Sequence, residues 1–131
     1  MKVKGSPDGR VEIKLIGNGA DSVAEVNVTN YAGSTDLGDG WWGCLYDESR
    51  RRKVLAGPPR EERAKPVNRD DWNDYRIRCE GRRIQLWING QQTVDYTETD
   101  ASIERTGIIG LQIHGGPPSE AWYRNIRIKR L

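Results

Sequence analysis

The sequence predicts an all-β fold in which antiparallel sheets pack as a sandwich. Three observations carry this. Short segments of alternating polarity recur along the chain, with glycine- or proline-bearing turns between them. Fifteen glycines and no phenylalanine leave tryptophan and tyrosine as the only aromatics, a composition that favours turns and strands over helices. Asn89-Gly90, set between two apolar-alternating runs, is the strongest hairpin signal, because a two-residue type I′ turn needs positive φ at both positions.

The elements follow in order. Arg10 to Gly17 (RVEIKLIG) sets Val11, Ile13 and Leu15 against Glu12 and Lys14, and Ser22 to Asn30 sets Val26 and Val28 against Glu25, Asn27 and Thr29. Both read as half-buried strands, with GNGAD as the turn between them. Tyr31 to Gly40 is a polar, glycine-rich loop. Gly40 to Lys53 (GWWGCLYDESRRRK) reads as a strand ending in a basic turn, with Trp42, Cys44 and Tyr46 on one face and Trp41, Gly43, Leu45 and Asp47 on the other. Leu55 to Asp71 holds three prolines and mixed charge, so it is a surface loop with room for a helical turn at Arg60 to Ala64. Asp74 to Cys79 buries Tyr75, Ile77 and Cys79, and Arg83 to Ile88 buries Ile84, Leu86 and Ile88. Gln91 to Tyr96, Gly107 to His114 and Ala121 to Ile128 complete the strands.

At 131 residues the chain has the length of one domain, residues 1–131, and shows no internal repeat. Hydrophobic content of 35% against 31% charged residues calls for an economical core and a heavily charged surface. The formal net charge of +2 comes from interspersed signs and not from a basic stripe, which argues against nucleic acid as a partner. No apolar stretch is long enough to span a bilayer as a helix, which argues against a membrane partner. The start MKVKGSPDGR has no apolar run behind its basic end, leaving a cytoplasmic protein or one whose export signal has been removed. Cys44 and Cys79 read as buried free thiols in preference to a disulfide, and a single histidine with no CxxC argues against zinc.

Three stretches identify a relative. GWWGCLYDESRR, WNDYRIRCEGRRIQLWING and TGIIGLQIHGGPPSEAWYRNIRI together resemble the bacterial 3-keto-disaccharide hydrolase family, also called 3-keto-glucoside lyase/hydratase, over about Gly38 to Leu131. The resemblance implies a jelly roll similar to concanavalin-type lectins and laminin-G-like modules. It also implies a carbohydrate partner, an oxidised glycoside or disaccharide, and a periplasmic or extracellular setting in a bacterium. Members of the family carry more chain before WWG and a GYQAD-like string. Here that stretch reads NYAGSTDLGDG, in which Tyr31 and Asp36 keep their residue types, so the front is expected to be shortened.

The implied chemistry starts from a sugar oxidised at C3. The keto group acidifies the C2 hydrogen, a base removes it, the enolate expels the C1 substituent, and water can then add. This needs a base, an enolate stabiliser and an acid near the leaving oxygen. His114, before two glycines at a strand end, is the candidate base or acid. Asp47, Glu48 and Arg51 complete the catalytic candidates, with the arginine fork suited to an enolate or to hydroxyls. Trp41, Trp42, Tyr46, Gln112 and Tyr31 are candidates for substrate binding, with Trp42, Tyr46, Gln112 and His114 expected on one concave sheet face. No cofactor is certain; Asp36 and Asp39 in DLGDG are candidates for a divalent cation. The competing readings are a non-catalytic carbohydrate-binding module and a structural sandwich that self-associates into a homo-oligomer through exposed sheet edges.

Overall fold

The computed structural model describes residues 2–4, 10–13, 24–32, 42–48, 50–104, 109–112 and 120–131. Among the described residues ten strands run β1 (Lys2–Lys4), β2 (Arg10–Ile13), β3 (Ala24–Ala32), β4 (Leu45–Asp47), β5 (Lys53–Ala56), β6 (Asp71–Glu80), β7 (Arg83–Ile88), β8 (Gln91–Thr97), β9 (Ile109–Gln112) and β10 (Glu120–Arg130). Every pairing is antiparallel. Six strands form the main sheet in the order β1-β10-β3-β6-β7-β8, while β2 pairs with β9 and β4 with β5. The all-β sandwich expected from sequence is what the chain adopts. Among the described residues no helix is long and apolar enough to cross a membrane.

Register sorts the side chains of the main sheet. Val26 lies opposite Ile77, Ile77 opposite Leu86, and Leu86 opposite Val94, so one apolar row crosses β3, β6, β7 and β8. Val28, Tyr75 and Ile88 form the row beside it. Ile88 is fully buried and Val94 nearly so. Completely burying one such side chain stabilises the fold by about 1.5–3 kcal/mol. The opposite face alternates in Asn27, Thr29, Asp74, Arg76 and Trp87, and part of it is solvent-facing.

The hairpins show why this register is unique. Asn89 and Gly90 both have positive φ, as the two-residue turn joining β7 and β8 demands. Asn89 does more than turn the chain. Its Oδ1 accepts the Asp74 backbone N–H at 2.9 Å, and its Nδ2 donates to the Pro66 carbonyl at 2.7 Å and to Asn73 Oδ1 at 2.8 Å. Asn73, fully buried, accepts the Asn68 N–H and donates to the Asn68 and Asp71 carbonyls. These two amides fasten the proline-rich segment 57–70, so that Val67 packs on Ile88 as part of the core. That segment holds one 3-10 turn, Arg60–Glu62, where sequence left room for a helical turn.

Three expectations change. The aromatic run is not one strand: Trp42 and Gly43 lie in a turn, β4 covers only Leu45–Asp47, and the chain reverses through the basic residues into β5. β5 occupies what read as the end of that run and the start of a loop, because Val54 and Leu55 are too short a signal to show alternation. β1 lies at the edge of the main sheet on β10, in a stretch with no legible strand pattern. Cys44 and Cys79 are both free, as expected, and half-buried where full burial was expected.

Candidate functional site

The segment from Trp42 to Arg51 is anchored to the main sheet at three points. At the first, Trp42 packs against the Val67–Ile88 core and sits 6.0 Å from the Tyr75 ring, centroid to centroid, at a 38° tilt. At the second, Gly43 adopts φ +67° and presses so close to β8 that a Cβ there would meet Thr93 Cβ and Cγ2 at 2.9 Å. Only glycine satisfies both the positive φ and the approach. Burial pushes the Tyr75 phenol up, against an opposing hydrogen bond from the Gly43 backbone.

The third point is electrostatic. Arg51 Nε donates to Asp47 Oδ2 at 2.6 Å, and Arg51 Nη2 donates to Glu98 Oε2 at 2.6 Å. Nη1 makes longer contacts with Tyr96 Oη at 3.4 Å and Glu98 Oε1 at 3.5 Å, and Tyr96 Oη donates to Glu98 Oε2 at 3.2 Å. Glu98 also accepts the Asp100 N–H at 2.9 Å. The Arg51 guanidinium holds the Asp47 carboxyl below its ordinary range, and it does the same to Glu98 with help from the Asp100 N–H. Flanked by two carboxylates, Arg51 is itself pushed up.

This geometry places each expected residue. Arg51 and Asp47 come together, as a clamp that fixes the β4–β5 ribbon on the end of β8. Glu48 stands beyond β4 in an exposed turn, so it and Asp47 are not a strand-borne pair. Tyr46 is 38% exposed within β4, whereas Trp42 turns into the core, so the common strand face drawn for Trp42, Cys44 and Tyr46 does not form. Tyr31 lies in β3 opposite Trp72, and Gln112 in β9 opposite Arg10. His114, Trp41, Asp36 and Asp39 lie outside the described residues, and so does the concave face expected to join His114 to Trp42. Among the described residues no three His, Cys, Asp or Glu side chains cluster in a way that could hold a metal ion.

A family model for the 3-keto-alpha-glucoside-1,2-lyase-like domain matches residues 10–129. The chain belongs to this family. No curated protein and no solved structure gave a match. Membership in the 3-keto-alpha-glucoside-1,2-lyase-like family carries a carbohydrate-related role, and it covers both the anchored segment and the sheet that anchors it.

Sequence reasoning missed Tyr96 and Glu98. Glu98 is 7% exposed, and a carboxylate that buried needs a cationic partner. The signal was present in YTE, where Tyr96 lies in β8 and Glu98 just past its end, but their partner Arg51 lies 47 residues from Glu98 in a run with three arginines to choose from. The thiols offer no nucleophile: burial pushes both Cys44 and Cys79 up, so both stay protonated near neutrality.

Proposed function

We propose that the protein cleaves 3-keto-glycosides by elimination. A base takes the C2 proton, the C2–H electron pair forms the enolate conjugated with the 3-keto group, and the C1–O bond breaks as the enolate collapses. The leaving oxygen takes a proton, and water adds to the unsaturated sugar in a later step. His114 is the group we assign to proton transfer, since an imidazole can accept and return a proton near neutrality. The observation that carries this reading is the family match across residues 10–129.

In this reading Arg51 is a positioning residue. Both of its short contacts go to carboxylates, so its charge is neutralised where it stands and is poorly placed to meet an enolate. Its work is to hold the ribbon, and with it the exposed Tyr46 and Glu48, against the main sheet. The setting that accompanies this reading is the periplasm or exterior of a bacterium.

The test is incubation with a 3-keto-disaccharide, with and without chelator, beside its unoxidised parent and a His114→Ala control. Release of the free sugar from the 3-keto substrate alone is expected. Binding without cleavage by the wild type would replace the lyase reading with a carbohydrate-binding module.

A further inference from the structure

The solvent-facing side of the main sheet carries a groove of about 670 Å³, on the face opposite the one that packs against Trp42. That volume lies within the range of about 300–1,000 Å³ usual for small-molecule clefts. Its floor is a row set by register: Arg127 lies opposite Asn27, Asn27 opposite Arg76, and Arg76 opposite Trp87. Four strands at the usual spacing make this row about 14 Å long, a suitable length for a short oligosaccharide. A neighbouring row pairs Thr29 with Asp74.

Each member of the floor has a definite state. The Arg76 guanidinium lies over the Trp87 ring, 4.7 Å from its centroid, so the cation stacks on one face of the indole. Arg76 is also committed to Glu25 at 2.9 Å. Asp74 Oδ1 accepts from Thr29 Oγ1 at 2.9 Å, and Oδ2 has no hydrogen-bond donor among the described residues. Asn125, at φ +54°, sits where the β10–β3 register shifts between Arg124 and Arg127, and it also lines the groove. Arg127 makes no ion pair among the described residues and is exposed.

We infer that this groove is a second carbohydrate site, one that holds an acidic saccharide bearing a uronate-type carboxylate without reacting with it. Trp87, half-exposed with Arg76 stacked on it, supplies apolar surface for sugar C–H groups. The Asp74 carboxylate and the Asn125 amide supply partners for hydroxyls, while the Asn27 side chain is engaged with Glu25. Arg127, a planar donor fork with its charge uncompensated among the described residues, selects for a carboxylate at one end of the row. A neutral sugar would leave that fork unused. The carbohydrate class rests on the family's role and not on the elimination chemistry, so the two proposals can fail separately.

The experiment titrates the ¹⁵N-labelled protein with a trisaccharide of galacturonic acid, its methyl ester, and acetate at matched concentration. The indole N–H signal of Trp87, assigned by its loss in Trp87→Leu, should move with the acid trisaccharide. It should move at least tenfold more weakly with the ester, and not at all with acetate. Arg127→Gln, on an exposed strand position and so expected to fold, should weaken the acid trisaccharide at least tenfold, with Arg127→Lys in between. Turnover of the 3-keto-disaccharide, measured on the same preparations, should be unchanged in Arg127→Gln. A still Trp87 signal, equal affinity for acid and ester, an acetate response of the same size, or undiminished binding by Arg127→Gln would each overturn the proposal.

Discussion

Arg51 Nη2 and Glu98 Oε2 are 2.6 Å apart although 47 residues separate them in the chain. Because Arg51 Nε also holds Asp47, one guanidinium joins the β4–β5 ribbon to the end of β8. Ion pairs at an exposed surface contribute little, yet here Glu98 is buried and both contacts are short and charge-assisted. The clamp therefore fixes the ribbon's place on the sheet, and its strength depends on both carboxylates staying ionised.

Acid should loosen this clamp. Asp47 and Glu98 are held below their ordinary values of 3.8 and 4.5, each chiefly by Arg51. A carboxyl with a depressed folded-state pKa stabilises the fold above its unfolded pKa, and this is lost as pH falls through the folded value. Arg51→Met should therefore lower Tm most at neutral pH, and the gap to wild type should narrow below about pH 4.5. Thermal melts from neutrality down to the acid limb measure this. A gap that stays constant through that range would mean the arginine stabilises by packing alone.

Trp42 should behave as a core residue. It packs on Val67 and Ile88 and leans on Tyr75, so Trp42→Ala removes contacts on the buried side of the sheet. Its half-exposure points to the lower end of the range for large-to-small changes, about 3 kcal/mol. Gly43→Ala should cost about 1–2 kcal/mol from the left-handed backbone alone, plus the clash with Thr93. Urea denaturation curves give both values. A Trp42→Ala variant of wild-type stability would return the ring to the ligand-binding role its sequence suggested.

The Asn73–Asn89 pair makes a third case. Asn73→Ala would leave the Asn68 N–H and carbonyl without their partner in a part-buried setting, at about 1 kcal/mol for each bond lost. Since the pair fastens segment 57–70, the loss should open that segment first. Trypsin under native conditions should cut Asn73→Ala faster than wild type at Arg60 or Arg63, both of which lie in the fastened stretch. Equal cleavage rates with an equal melting curve would show that other contacts hold the segment.

The parts that sequence revealed share a physical cause. Strands β6 and β7 were legible because they are long and half-buried, so Tyr75, Ile77, Ile84 and Ile88 alternate with charge over several positions. The turn at Asn89-Gly90 was legible because its backbone admits few residues. The WW run misled because Trp42 reaches the core from a turn, where period-two logic does not hold, and because glycine at position 43 breaks the strand to let β8 approach. Arg51 was legible as a candidate but its Glu98 partner was not, since that pairing is set by tertiary fold. The groove row Arg127–Asn27–Arg76–Trp87 draws one residue from each of four strands, so no local pattern could expose it.

The reaction offers the last prediction. If His114 moves the C2 proton, His114→Ala should reduce turnover of a 3-keto-disaccharide by about two to four orders of magnitude, the usual worth of a general acid or base. The wild-type pH–rate profile should carry a limb near neutrality that the variant's lacks. The thiols cannot take over this titration, because burial holds Cys44 and Cys79 protonated near neutrality. Iodoacetamide at neutral pH should accordingly leave activity intact. Arg51→Lys separates positioning from chemistry: it keeps the charge, loses the two-carboxylate fork, and should lower kcat/KM without moving the pH profile. A His114→Ala variant with full turnover and the wild-type profile would take histidine out of the mechanism. A shifted profile in Arg51→Lys would bring the guanidinium back beside the reacting atoms.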